Sequence, residues 1–149
     1  MSAPYRRPGP ARLASFALAG LLWGCLAWVI GFRVIEVGPL MGVAASPLIG
    51  LALGAGFQGR FERASWSGQV GLALVTLYLG ATLFALVVGL GNALSGGGGS
   101  GDVRAVVAGV WYGATVLLIV LYPLIYFTHL ALASDSAWWR TDNASPPPR

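Results

Sequence analysis

The segment Ile30–Pro39, IGFRVIEVGP, carries the only charged residues between Leu13 and Phe57. A single helix over Leu13–Phe57 would be about 67 Å long at 1.5 Å per residue, more than twice the ~30 Å hydrocarbon core of a bilayer. Because Pro39 disfavours helix in the residue before it and suits the first turn of a new helix, the chain is expected to turn here. Arg33 would then follow the first helix and Glu36 would precede the second, each complementing the dipole of its helix end. A buried ion pair with a chemical role is the alternative.

The composition of the chain is that of a membrane protein. Of its 149 residues, 56% are hydrophobic and 9% are charged, against about 25% charged residues in soluble domains. A transmembrane helix needs about 20 consecutive apolar residues. Four uncharged runs reach that length, and they cover residues 13–32, 37–59, 64–101 and 105–134. The third run ends in the polar, glycine-rich stretch NALSGGGGSG, which favours a loop.

These runs predict an all-α integral membrane protein with four transmembrane helices arranged as two antiparallel hairpins. The helices are predicted at about 12–32, 39–57, 69–94 and 104–134. They form one transmembrane domain, 12–134, which follows a cytoplasmic tail, 1–11. Two tryptophans and an arginine near the start of 135–149 are typical of an interfacial anchor, and the rest of that segment is expected to be a disordered tail.

The arginines predict the orientation of the chain. All nine basic residues are arginines, and they lie near the ends of the apolar runs. With the N-terminus inside, seven of them are cytoplasmic and only Arg33 and Arg104 are outside, as the positive-inside rule requires. Both termini are therefore expected in the cytoplasm. Arginines dispersed in this way favour contact with the lipid bilayer over a nucleic-acid partner. The absence of lysine, with so much Ala, Gly, Arg and Pro, suggests a GC-rich bacterial genome, so the multi-pass protein is expected in a bacterial cytoplasmic (inner) membrane.

Small residues recur at every fourth position of the second predicted helix. This helix-packing row consists of Gly38, Gly42, Ser46, Gly50 and Gly54. Small side chains at this spacing let another helix approach closely. The row is expected to pack within the chain, and the alternative is a contact with a second copy or a membrane partner subunit. Ala105, Gly109 and Gly113 form a shorter row in the fourth predicted helix, which is interpreted in the same way.

Four polar residues in the apolar runs are candidates for a polar site. His129 is the only histidine and follows Tyr126 by about one helical turn. It is expected near the cytoplasmic interface, bonded to backbone or water, with a proton-relay role as the alternative. Metal and haem sites need more ligands than one histidine, so no metal or cofactor is predicted. The tripeptide GAT occurs twice, and Thr82 and Thr115 within it are expected to share an interhelical hydrogen bond.

The sequence contains no pattern typical of an active site. It lacks a nucleophile with a base, a carboxylate pair, a metal-ligand cluster and a phosphate-binding loop, so no catalytic residue is assigned and an enzyme is not expected. The first hypothesis is a small accessory or assembly subunit that acts through helix packing. The alternative is an oligomeric channel or transporter for small neutral or apolar solutes. An oligomeric redox protein ligated by His129 ranks third.

Overall fold

A computed structural model describes residues 9–31, 37–95 and 103–142 of the chain, with the side chains of 9–30, 40–95 and 103–133. The elements in chain order are α1 (Pro10–Gly31), α2 (Val37–Phe61), α3 (Trp66–Leu94), α4 (Val103–Val116) and α5 (Leu118–Asp142). Within these ranges the only regular secondary structure is helical, which confirms the all-α prediction. The predicted turn at Arg33 and Glu36 and the glycine-rich segment 96–102 lie outside the described residues.

Three of the helices, α1, α2 and α3, are long and apolar enough to cross a membrane. The prediction of apolar helices long enough to span a membrane is therefore confirmed for these three. The prediction of one continuous fourth helix over 104–134 is wrong, because α4 and α5 meet at a bend of 87°. α4 and α5 provide a fourth span only if the bent pair is taken as a single membrane-spanning segment. α5 also continues to Asp142, beyond the predicted end of the helix near residue 134.

The bend between α4 and α5 falls at Leu117, in a segment that forms helix poorly. Glycine and β-branched residues are weak helix formers, and this segment contains Gly113, Thr115 and Val116. Backbone groups at the break still find partners. The N–H of Leu117 donates to Gly113 O at 2.9 Å, and its carbonyl accepts from Val120 and from Leu121, both at 2.9 Å. These hydrogen bonds matter because an unpaired backbone group in hydrocarbon raises the free energy of the folded state.

The closest helix contact joins α1 and α2, which run antiparallel. If Gly50 carried a Cβ, that atom would lie 2.6 Å from the Cα of Gly20. A Cβ on Gly54 would collide with the ring of Phe16, and one on Gly24 with the side chain of Ser46. Three members of the helix-packing row, Ser46, Gly50 and Gly54, therefore lie directly against α1.

Gly42 belongs to the same row but faces α3. A Cβ there would lie 2.8 Å from Val88 Cγ2 and 2.9 Å from the ring of Phe84. Gly38 lies within α2, in the part whose side chains are not described. Because four residues turn a helix by more than one full turn, the row winds around α2 and meets different neighbours along its length.

Pro47 lies inside α2 without breaking it. Proline has no N–H, so it leaves the carbonyl of Val43, four residues earlier, without its usual helical donor. The hydroxyl of Ser46 donates to that carbonyl at 2.7 Å. Ser46 is almost fully buried, so it both fits the tight contact with α1 and satisfies the acceptor that Pro47 leaves open.

The small-residue row of the fourth predicted helix behaves differently from the row in α2. A Cβ added to Gly109 or to Gly113 would meet nothing within 4 Å. The interpretation of these glycines as packing residues is therefore wrong. They border open space, and that space is the cavity described below.

Candidate functional site: an apolar cavity beside a polar network

A cavity of about 470 Å³ lies among the five helices. Its lining includes Gly20 to Ile30 on one side of α1 and Val106 to Ala114 on one side of α4. These two helices are not closely packed on each other, whereas α1 packs on α2 and α4 packs on α3. Since α5 turns away from the axis of α4 by 87°, no straight helix fills the space between α1 and α4. The volume is within the range of pockets that hold small organic ligands, about 300–1,000 Å³.

The wall of the cavity is almost entirely apolar. Its polar side chains are Trp23, Ser46, Thr76, Thr128 and His129, and each of them already bonds within the chain. Trp23 Nε1 donates to Thr128 Oγ1 at 3.2 Å, while the Thr128 hydroxyl donates to Leu124 O at 2.8 Å. Ser46 donates to Val43 O. Each polar side chain of the described lining therefore has at least one hydrogen-bond partner within the chain.

His129 on α5 is the centre of a buried polar network. Its side chain is 5% exposed. Its Nδ1 lies 2.8 Å from Gln58 Oε1 on α2, and its Nε2 lies 2.8 Å from Thr76 Oγ1 on α3. The ring of Phe61 stacks on the imidazole with centroids 4.6 Å apart. The expectation of backbone or water partners is wrong for this side chain, whose ring bonds to two other side chains.

The network continues from Gln58 towards the surface. Gln58 Nε2 donates to the carbonyl of His129 at 3.0 Å and lies 3.5 Å from Glu62 Oε1. Glu62 in turn forms an ion pair with Arg12 of α1. The side chain of Glu62 is 18% exposed, so this ion pair is the outer end of the network.

A second branch of the network holds the turn between α2 and α3. Tyr126 donates its hydroxyl to Gln69 Oε1 at 3.2 Å, and Gln69 Nε2 donates to Phe61 O at 3.2 Å. The rings of Tyr126 and Phe61 are in edge contact at 5.7 Å. Side chains from α1, α2, α3 and α5 thus meet in one network.

The four candidate polar residues fall in two separate places. Tyr126 and His129 belong to the network, whereas Thr82 and Thr115 lie between α3 and α4. There, Trp111 Nε1 donates to Thr82 Oγ1 at 2.8 Å, and the hydroxyls of Tyr78 and Thr115 are 3.0 Å apart. The threonines instead donate to carbonyls of their own helices, Thr82 to Tyr78 O and Thr115 to Trp111 O. Their expected direct bond is replaced by these aromatic partners.

The residues that sequence reasoning missed are Gln58, Glu62, Thr76 and Gln69. Gln58 and Gln69 lay at or beyond the predicted helix ends. In the structure α2 continues to Phe61 and α3 begins at Trp66, which brings both amides into the helical bundle. Gln58 and Gln69 are far from His129 in the sequence, so no local pattern could indicate that these side chains belong to one network.

The network has the chemistry of a hydrogen-bonded, protonatable site. In the described ranges, no group of three or more His, Cys, Asp and Glu side chains is placed to hold a metal ion. Comparison of the chain with protein-family models, with curated proteins and with solved structures finds no match. The geometry of the cavity and of the network is therefore what a functional proposal has to rest on.

Proposed function

We propose that this chain is a multi-pass protein of a bacterial cytoplasmic membrane, with four spans in two antiparallel hairpins and both termini in the cytoplasm. The α4–α5 pair forms the fourth span in this proposal. The asymmetry of the arginines supports the orientation. The ion pair between Arg12 and Glu62 is consistent with it, because it joins the start of α1 to the α2–α3 turn, so that Arg12, Arg60 and Arg63 lie at one end of the helices.

Cysteine labelling tests this topology in a Cys25→Ser background. A cysteine at Ser67, which is exposed next to the α2–α3 turn, is expected to react only with reagents that reach the cytoplasm. A cysteine at Ser145 is expected to label from the same side, because the bent pair must return the chain across the membrane. Labelling of the two positions from opposite sides would show that α4 and α5 do not complete a span.

The function that the geometry supports best is non-enzymatic binding or transport of a small neutral or apolar molecule within the membrane. The observation that carries it is the cavity, whose polar side chains all have partners inside the chain. An ion or a hydrated solute would find few polar groups there, since each polar side chain of the described lining already has a partner, and water needs two to four polar partners to occupy such a site. An apolar molecule needs none. The described wall therefore favours apolar solutes over charged ones.

Filling the cavity should abolish this binding and leave the fold intact. Gly109→Leu and Gly113→Leu each place a side chain into open space, since no atom lies within 4 Å of an added Cβ. Leucine is also a better helix former than glycine, by roughly 0.5–1 kcal/mol. We expect folded protein and a several-fold loss of photolabelling of cavity residues by a small hydrocarbon probe, adamantyl diazirine, in lipid vesicles.

Gly71→Leu on α3 is the matched control, because Gly71 is exposed, has open space at its Cβ and does not line the cavity. It should leave cavity labelling unchanged. Ile119, 87% exposed, serves as the internal reference for probe dissolved in lipid. Equal cavity labelling of the wild type and both filled variants would contradict the proposed binding.

A second candidate function is the accessory or assembly subunit. The helix-packing row gives it little support, because most of the row already contacts α1 or α3. An outward pair of small residues at the same spacing, Ala52 and Gly56, is exposed on α2 and favours it. Native mass spectrometry in mild detergent separates the two functions. A stoichiometric partner or a homo-oligomer supports the accessory role, whereas a monomer that retains an apolar molecule supports binding or transport of such a molecule.

A further inference from the structure

The imidazole of His129 is held so that Nδ1 carries a hydrogen. Gln58 Nε2 donates to the carbonyl of His129 at 3.0 Å, which turns Gln58 Oε1 towards the ring. An amide oxygen only accepts hydrogen bonds, so Nδ1–H is the donor in the 2.8 Å contact with it. The proton that His129 gains or loses is therefore the one on Nε2, on the side of Thr76.

The Thr76 hydroxyl has one hydrogen and three acceptors within reach. His129 Nε2 lies at 2.8 Å, Leu72 O at 2.9 Å and Ala73 O at 3.0 Å from Thr76 Oγ1. When His129 is neutral, the hydroxyl donates to Nε2. When His129 is charged, Nε2–H donates to Oγ1 and the hydroxyl turns to one of the two carbonyls. Both states are fully hydrogen-bonded, and no heavy atom has to move.

One neighbour of the imidazole, the Phe61 ring, would attract a cation. The Phe61 ring lies parallel to the imidazole, with an interplanar angle of 18°, and an aromatic face attracts a cation. The charged and titratable side chains that join this network are Arg12 from α1, Glu62 from the α2–α3 turn and Tyr126 from α5 itself. α3 contributes only the neutral Gln69 and Thr76. Glu62 forms an ion pair with Arg12 and also accepts from Gln58 Nε2. Gln58 is the residue whose amide oxygen accepts from Nδ1–H.

α4 adds no charge near the ring. Its only charged residue is Arg104, and the neighbouring Val103 lies against Gly89 of α3. Gly89 is thirteen residues from Thr76 along α3, or about 20 Å at 1.5 Å per residue. His129 and Thr76 both line the cavity, and Thr76 is the lining residue of α3 nearest the α2–α3 turn. The ring therefore borders one end of the cavity.

We propose that His129 is a reversible proton-binding site, and that its protonation opposes the binding of an apolar molecule in the cavity. The lone pair of Nε2 takes a proton from a hydronium ion, so that an N–H bond forms, an O–H bond of the hydronium breaks and water is left, while the Thr76 hydroxyl hydrogen changes acceptor without breaking its O–H bond. A charge at the wall disfavours an apolar occupant, and by linkage the occupant disfavours the proton to the same extent. The coupling rests on the proposed function, whereas the proton site does not.

Nitrogen-15 NMR of histidine-labelled protein tests the proton site directly. His129 is the only histidine, so one pair of ring signals reports it. The neutral Nδ1–H tautomer is expected at mildly alkaline pH, and the imidazolium is expected to appear as the pH is lowered through the acidic range in which the protein stays folded. A ring that stays neutral at every pH at which the protein is folded would overturn the proposal.

Two variants of Thr76 separate the proton site from simple packing. Thr76→Ser keeps the hydroxyl and is expected to titrate as the wild type does. Thr76→Val has nearly the same shape but cannot accept from Nε2–H, so a smaller protonated fraction is expected at the same acidic pH. Identical titration of the valine variant would remove Thr76 from the proposed site.

The coupling is tested by photolabelling with adamantyl diazirine at the two pH values. Labelling of cavity residues is expected to fall at acidic pH in the wild type and to be independent of pH in His129→Phe. If His129 titrates but the labelling of cavity residues in the wild type is the same at both pH values, the coupling is overturned. Absence of cavity labelling at either pH, with normal titration, would overturn the proposed function and leave the proton site standing.

Discussion

Gly50→Leu is expected to destabilise the folded protein by about 1–3 kcal/mol or more, the range typical of overpacking. The reason is that the backbones of α1 and α2 are in direct contact at this position. A Cβ on Gly50 would lie 2.6 Å from the Cα of Gly20, and a Cβ on Gly20 would lie 2.8 Å from the Cα of Gly50. No flexible side chain can yield at this point, so α1 and α2 must separate. Thermal unfolding in detergent measures the loss.

Gly56→Leu is the matched control for this substitution. Gly56 lies on the same helix, it is exposed, and an added Cβ would meet nothing within 4 Å. The two variants gain the same helix propensity and differ only in what the new side chain meets. A nearly unchanged melting temperature is expected for Gly56→Leu. Equal losses in the two variants would contradict the close approach of α1 and α2.

Gln58→Leu is expected to have the second large effect. Gln58 is 1% exposed, and its loss leaves the buried Nδ1–H of His129 without an acceptor. An unsatisfied buried donor costs about 1–3 kcal/mol. The melting temperature in detergent should fall accordingly.

The double variant Gln58→Leu with His129→Phe shows whether the two side chains act as a pair. Removing both partners leaves no orphaned ring nitrogen, and the Thr76 hydroxyl keeps its bonds to the carbonyls of Leu72 and Ala73. The combined loss is expected to be smaller than the sum of the single losses. Strict additivity would mean that the contact between Gln58 and His129 contributes nothing to stability.

The sequence predicts the apolar helices well because hydrocarbon leaves few alternatives to a helix. The segments predicted at 12–32, 39–57 and 69–94 correspond to α1, α2 and α3. The predicted ends of these helices were less accurate, and side chains of the polar network lie at those ends. With α2 predicted to stop at residue 57, Gln58 belonged to a cytoplasmic connection. One further helical turn, to Phe61, places it beside His129.

The break at Leu117 was not predictable from the pattern of apolar residues. A run of uncharged residues from Ala105 to Ser134 has the same appearance whether its helix is straight or bent. Pro123 lies six residues beyond Leu117 and removes a hydrogen bond only within α5. What distinguishes the two halves is their partners: Trp111 and Thr115 bond to α3, whereas His129 bonds to α2 as well as to α3. Contacts so distant in sequence leave no local signal.

If the bent pair is the fourth span, its first helix also implies an order of insertion during biosynthesis. α4 has 14 residues, about 21 Å at 1.5 Å per residue, so it is too short to cross a ~30 Å hydrocarbon core alone. Each of α1, α2 and α3 has the length to enter the bilayer as an independent unit. On its own α4 is then held in the bilayer only by contacts with helices that have already been inserted, and His129 can reach its partners only once Gln58 and Thr76 have been brought together.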